Sequence, residues 1–516
     1  MVKLGKAYTF ALEGFSGTKI LIEATILVGL PNFTIVGLPD TSVSEAKERL
    51  RASFHNSGLK FPDSRITVNL SPADRTKTGS SFDLGIAAAL LAAQTERSLP
   101  KDLIVIGELG LDGSVRGVTG VLPTVIAARE HGVKRVIVPA ENYHEAKLIP
   151  EIEIIPLSHL SQLAVKVGIS QEVAQPLKIP IISLENHPSC QLELADVHGQ
   201  NEAVYGLIIA AIGGHHLQMI GAPGIGKSML AQRMQTFLPP LESNTAIELA
   251  AIQSLNGALL HELPQKRPYV APHHTISTAA LIGGGAGIAR PGAISQAHGG
   301  VLYCDEFPEF TNSAVQALRQ PLENGFVEIH RSRSRVRYPA SFQLLAAANP
   351  CPCGYLLDGK GLCKCSAAAK LRYQLALKGP VFDRIDIRII MHRPTKAELL
   401  QKPVYSSAAA QELVEQAWNR SQIRNKKIMK LESMQKNSLI TNSRLSGRWL
   451  RENTPLTQSQ QNDFEKMLGR GQISMRGIDR TLRIAWSIAD FNTHDKPNSD
   501  DIFQAFLLRN SSPQES

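Results

Sequence analysis

The run Gly221-Ala-Pro-Gly-Ile-Gly226-Lys227-Ser228 follows the apolar stretch His216-Leu-Gln-Met-Ile220 and opens the helical run Met229 to Phe237. A strand that turns through glycines into a helix headed by Lys-Ser is a phosphate cradle. Across Gly221, Ala222, Pro223, Gly224, Ile225 and Gly226 the glycines let the loop's available backbone N–H groups, which Pro223 lacks, curl round phosphate oxygens. Lys227 reaches the β and γ phosphates of ATP, and Ser228 ligates Mg2+. This order of elements commits the chain to an α/β core in which that strand feeds the loop.

Such a core needs one carboxylate for the metal and another to activate water. Val301-Leu-Tyr-Cys-Asp305-Glu306 ends an apolar strand with both. Asp305 is expected to serve Mg2+ and Glu306 to act as general base. Asn349 closes the apolar strand Gln343-Leu-Leu-Ala-Ala-Ala348. Its amide can orient the attacking water, although an Asn before a proline is by itself a turn former.

Between these strands lie Arg331, Arg333, Arg335 and Arg337. In one extended ribbon alternate residues share a face, which predicts a basic stripe roughly 20 Å long for a phosphate backbone, with a solvated sheet edge as the alternative. If Arg331 to Ser334 is instead a hairpin tip, the arginines divide between tip and return strand. A second basic run, Ala417 to Arg451, holds nine Lys and Arg against the single acid Glu432, within a chain whose net charge is +9. It fits either a polyanion contact or a solvated helical face.

Cys351-Pro-Cys353 and Cys363-Lys-Cys365 place four thiols in fifteen residues, a set that suits tetrahedral Zn2+, with free or redox-labile thiols as the alternative. Cys190 and Cys304 read as isolated. This cysteine usage, and a start without a signal-peptide core, predict a reducing cytoplasm. The most apolar stretch, Ile86 to Ala93, is far short of the roughly 20 residues of a membrane span, so no membrane role is expected.

At 516 residues the chain is too long for one core. Residues 1–168 alternate strands and helices, and 169–195 are Pro-rich and aperiodic, as in a linker. Residues 196–394 hold the phosphate-loop core, and 395–516 are helical throughout.

Taken in order, the pieces resemble the magnesium-chelatase-related AAA+ family, in particular its ComM/YifB group. The resemblance rests on Val36-Gly-Leu-Pro-Asp40, Asn69-Leu-Ser-Pro-Ala-Asp74, Phe82-Asp-Leu84, Gly107-Glu-Leu-Gly-Leu-Asp-Gly113, Arg267-Pro-Tyr-Val-Ala-Pro-His-His274, Gly300-Val-Leu-Tyr-Cys-Asp-Glu306, Asn349-Pro-Cys-Pro-Cys-Gly354 and Gly379-Pro-Val-Phe-Asp-Arg-Ile-Asp386. It implies an α/β chain with a Lon-protease-like N-terminal domain of the ribosomal S5 domain 2 type, an AAA+ core and a helical lid. It further implies a homo-hexamer with ATP at the subunit interfaces. Arg384 matches the arginine finger, Arg476 the second sensor with Arg480 and Arg483 as weaker candidates, and Arg331 to Arg337 the pre-sensor hairpin. The chain departs from the family at Trp486, where an arginine is usual, and at Cys304, where an aliphatic residue is usual; neither touches the catalytic set.

The resemblance implies a branch-migration helicase acting on DNA in natural transformation. Two other classes compete. An ATP-dependent protease is suggested by Lys77-Thr-Gly-Ser-Ser81, which parallels the Lon nucleophile loop, but Leu122 stands where Lon carries its Lys, and a serine needs a base. A magnesium-chelatase motor is the third class; that ATPase lacks the long N-terminal domain and the cysteine cluster.

Overall fold

The computed structural model of the chain describes residues 3–74, 77–169, 175–180, 192–285, 289–330, 335–357, 361–377, 379, 381–431 and 441–510. The expected linker, Cys190, Arg331 and Arg333 fall wholly or largely outside them.

The first unit opens on a long hairpin, Lys3–Glu13 with Ser16–Leu27, extended antiparallel by Arg65–Ser71 and then parallel by Asn32–Val36. Alternation buries one face of Ser16–Leu27 (Ile20, Ile22, Ala24 and Ile26). On that face lies the helix Asp83–Gln94, apolar all round and buried along nearly its whole length. The helix approaches so closely that a Cβ on Gly5 would stand 2.2 Å from the Ala89 carbonyl oxygen, which is why the strand carries glycine there. A parallel sheet of Leu103–Val105, Arg135–Pro139 and Glu153–Leu157 completes the unit. Two short helices, Thr41–Ser44 and Ala46–Asn56, meet at Glu45.

The phosphate-loop unit is a five-stranded, wholly parallel sheet in the order Tyr269–Val270, Val301–Cys304, Gln343–Ala348, Leu217–Gly221, Ile387–Met391. Covered on both faces, its central strands are continuous apolar runs instead of alternating ones. The strands that end near Asp305 and at Asn349 are neighbours, and the second borders the strand that feeds the loop. All three functional segments therefore leave one edge of one sheet.

Phe326–His330 pairs antiparallel with Arg335–Pro339, with His330 opposite Arg335 and Glu328 opposite Arg337. The single-ribbon stripe of four arginines is thus replaced by the hairpin alternative. Its inner face, Val327, Val336 and Tyr338, is buried. Part of that burial is against the first unit: Phe15 meets Tyr338 edge to face at 6.0 Å, and a Cβ on Gly14 would stand 2.6 Å from Val336 Cγ1. A second seam joins the helices Val121–Glu130 and Ser243–Leu255, where Ala250 packs with Val121, Leu122 and Val125.

The last unit is helical: Lys396–Leu400, Ser407–Leu431, Gly447–Asn453, Gln458–Gly469, Met475–Phe491 and Ser499–Asn510. Its basic run is not an open stripe. Arg424 makes two bonds to the buried Asp490 carboxylate and stacks on Trp486, Arg420 donates to the Asp490 carbonyl, Arg444 to Ser341 and Arg451 to Asp479. Lys426, Lys427, Arg444, Arg448 and Arg451 are nonetheless exposed, and Lys436 lies outside the described residues. No helix among the described residues is long and apolar enough to cross a membrane.

Candidate active site

Gly224 and Gly226 adopt φ of +72° and +98°, which lets the turn leave Gly221 and re-enter a helix at Lys227. Nothing lies within 4 Å of a Cβ built on Gly224, so the loop tip is open toward the space a phosphate needs. Lys227 is buried, and its Nζ donates to the Gly221 carbonyl at 2.7 Å, the Ala222 carbonyl at 3.0 Å and Asn349 Oδ1 at 3.1 Å. Burial pulls its pKa below the usual lysine value, against the charges of Asp305 and Glu306.

Ser228 Oγ donates to Asp305 Oδ2 at 2.8 Å and accepts from the Tyr303 hydroxyl at 3.0 Å. A hydroxyl and a carboxylate thus converge beside the loop, the oxygen donor set that suits Mg2+. Glu306 stands at φ +48°, a left-handed conformation unusual for a side-chain-bearing residue, and its N–H is held by Asp305 Oδ1 at 2.9 Å. Strain of this kind, of order 1–3 kcal/mol, concentrates at functional positions. It turns the Glu306 carboxylate out of the strand line to His274, whose Nδ1 lies 3.1 Å from Glu306 Oε2. The sequence reading gave His274 no role; its only signal was its place in the Arg267 to His274 motif.

Arg384 and Arg476 are elsewhere. Arg384 precedes the strand Ile387–Met391, so it sits at the sheet edge opposite the phosphate loop, where its guanidinium pairs with Glu323 instead of Asp383 or Asp386. Arg476 lies at the start of the helix Met475–Phe491, and with Arg384, Arg480, Arg483 and Arg444 it lines a cavity of about 1070 Å³ at that opposite edge. Arg480 is engaged in the fold: it donates at 2.6 Å to both Asp386 Oδ1 and the Arg384 carbonyl. Arg483 donates to the Leu445 carbonyl. Asp386 is buried, which alone would raise its pKa, but the His215 bond and the Arg480 charge hold it well below the usual carboxylate range.

On the hairpin, Arg335 and Arg337 share the exposed face with Glu328; Arg335 is 2.6 Å from the Glu328 carboxylate and Arg337 lies over the Phe326 ring at 3.4 Å. The four clustered cysteines gather their sulfurs within 4.8 Å of one another. In the first unit, Ser81 lines a small cavity with Thr119 and Thr124, and no Lys or His is among its described lining residues. Leu122 is fully buried.

Three family profiles match in chain order: subunit ChlI of Mg-chelatase over residues 22–142, magnesium chelatase subunit ChlI over 193–399, and the magnesium chelatase subunit ChlI C-terminal region over 405–509. An uncharacterized protein of Mycobacterium tuberculosis is 41% identical, with 98% of each chain covered. YifB of Escherichia coli is 36% identical over 96% of this chain and 94% of its own. Competence protein ComM of Haemophilus influenzae is 35% identical over 98% and 96%. A shorter stretch, 29% of this chain, is 31% identical to 20% of Lon protease 1 of Thermus thermophilus.

Proposed function

Since the chain belongs to the magnesium chelatase subunit ChlI family, in its ComM/YifB group, with an AAA+ α/β core and a helical C-terminal region, we propose that it is an ATP-driven DNA motor promoting branch migration of recombination intermediates during natural transformation. The observation that carries the reading is the hairpin 326–339. It is inserted between the strand that delivers Asp305 and Glu306 and the strand that delivers Asn349, so that one piece of chain joins the hydrolytic groups to a ribbon bearing Arg335 and Arg337. A motor that tracks a backbone needs this kind of base-independent cationic contact.

The chemistry divides among the residues as follows. The backbone of Gly221 to Gly226 and Lys227 bind the phosphates, Glu306 accepts the proton of the attacking water, and Asn349 orients that water. Ser228 and Asp305 are the residues to hold Mg2+, which when bound neutralises charge on the β and γ oxygens. Arg384 and Arg476 face away from their own phosphate loop, and so act on the nucleotide of an adjoining copy in a homo-hexamer. The first unit is non-proteolytic in this reading, since Leu122 stands where Lon carries its Lys and neither Lys nor His is among the described residues lining the Ser81 cavity. A chelatase motor would require dedicated partner subunits encoded in the same cell.

The deciding experiment is ATP-dependent branch migration of a labelled synthetic four-way junction, run with wild type beside Glu306→Gln. Resolution into two duplexes by wild type alone supports the motor. No resolution despite ATP turnover rejects DNA as the substrate and moves the reading to a motor on protein.

A further inference from the structure

Among the described residues, the four-thiol cluster is the group of metal-ligating side chains that the phosphate site leaves unused. Cys351 Sγ lies 3.4 Å from Cys353 Sγ and 3.7 Å from Cys363 Sγ, and Cys353 and Cys363 are 3.7 Å apart. These separations are far beyond an S–S bond of about 2.05 Å. They match tetrahedral zinc, where Zn–S bonds of about 2.3 Å set neighbouring sulfurs about 3.8 Å apart.

The surroundings of the cluster say what such an ion would do. Cys351 comes two residues after Asn349, whose amide oxygen accepts from Lys227. Gly354, next to Cys353, adopts φ +81°, and a Cβ there would stand 2.5 Å from Pro223 Cδ in the phosphate loop. Cys365 leads through the capping Ser366 into the helix Ala367–Ala376, whose Tyr373 hydrogen-bonds the Asn349 backbone. The four cysteines are thereby tied to the end of the Asn349 strand, to the tip of the phosphate loop and to a helix.

We propose that Cys351, Cys353, Cys363 and Cys365 bind one Zn2+ and that this knuckle is a positioning element of the phosphate site, holding the Asn349 amide against Lys227 and the loop tip at Pro223. The second half of the proposal rests on the reading of that loop as an ATP-hydrolysing site. Without zinc the Asn349 amide and the loop tip at Pro223 both lose their anchor, while Lys227 keeps its bonds to the Gly221 and Ala222 carbonyls and Ser228 its bond to Asp305. Turnover should therefore fall by more than ATP affinity does.

The test uses the full chain purified under reducing conditions. Elemental analysis should find about one zinc per chain, as a four-cysteine site predicts. Stripping with a chelator should lower kcat about a hundredfold with a smaller rise in KM for ATP, and added Zn2+ should restore both. In Asn349→Ala, kcat is already low and stripping should change it much less than in wild type. Hydrogen exchange over residues 221–228 and 343–354, which needs no turnover, should rise on stripping and return with Zn2+. Gly354→Ala leaves all four ligands in place, so it should keep its zinc yet lose turnover by pressing on Pro223. Zinc-free protein, equal sensitivity of Asn349→Ala to stripping, unchanged exchange, or full turnover in Gly354→Ala would each overturn the proposal. A zinc-loaded protein that binds but never hydrolyses ATP would instead overturn the ATPase reading, and the exchange measurement would still decide the knuckle.

Discussion

Glu306 is where local strain and chemistry coincide. A carboxylate on a strand end with ordinary φ would continue the strand line; at φ +48° it turns to His274. Glu306→Gln keeps the backbone and a hydrogen-bonding oxygen but removes the proton acceptor. ATP binding, read by fluorescent-nucleotide titration, should be unchanged while kcat falls by about 10²–10⁴; measurable residual turnover near wild type would remove Glu306 as the base. Asp386 illustrates the opposite case, a buried charge that serves the fold. Its carboxylate receives Arg480 at 2.6 Å and His215 at 3.2 Å, and His215 in turn reaches Ser487 at 2.8 Å. Asp386→Asn leaves the Arg480 charge without its partner and should cost about 3–5 kcal/mol at neutral pH. Because the folded-state pKa of Asp386 is depressed, its stabilisation is complete above the ordinary carboxylate value of 3.8 and fades as pH falls below it. The gap between wild type and Asp386→Asn in urea melts should therefore be full at pH 7 and narrow below about pH 4.

At the scale of elements, the hairpin 326–339 has two distinct faces. The outer one should read out in DNA-stimulated ATPase assays: Arg335→Ala with Arg337→Ala should weaken stimulation and lower the slope of log affinity against log salt by about one per arginine. Values equal to wild type would dismiss the hairpin as a DNA contact. The inner face depends on the first unit, through Phe15 on Tyr338 and Gly14 beside Val336. Gly14→Ala meets both a left-handed φ of +66° and Val336 Cγ1, and should cost about 1–2 kcal/mol. If the first unit braces the hairpin, this variant should also lose DNA stimulation while keeping basal ATP turnover, and retained stimulation would argue against the brace. The phosphate loop and the long amphipathic helix Met475–Phe491 were legible in the sequence because each is fixed by neighbours a few residues away. The basic run from Ala417 was legible only in part, for the converse reason: Lys426, Lys427, Arg444, Arg448 and Arg451 are exposed, but Arg424 and Asp490 are 66 residues apart, and no local pattern announces that Arg420 and Arg424 turn to Asp490.

For the molecule as a whole, the parallel sheet sets the logic. Parallel strands put every C-terminal end on one edge, so the convergence of Gly221, Asp305 and Asn349 follows once the strands are assigned to one sheet. The opposite edge, with Arg384 paired to Glu323 across 61 residues and Arg476 beside it in the cavity, was readable only as motif matches without a location. That separation yields a prediction of its own. Arg384→Ala and Glu306→Gln should each be inactive alone, yet an equimolar mixture of the two should recover about a quarter of wild-type ATP turnover, because random head-to-tail pairing brings an intact arginine to an intact base at that fraction of contacts. A mixture as inactive as its components would show that both residues serve the same copy's nucleotide. The two edges also share a genetic fate. In the proposed homo-hexamer one reading frame encodes both, so a harmful change beside Arg384 would be inherited by every copy at once, and compensating second-site changes should be recovered around the phosphate loop, at the far end of the same polypeptide's sheet, more often than among the immediate neighbours of the original lesion.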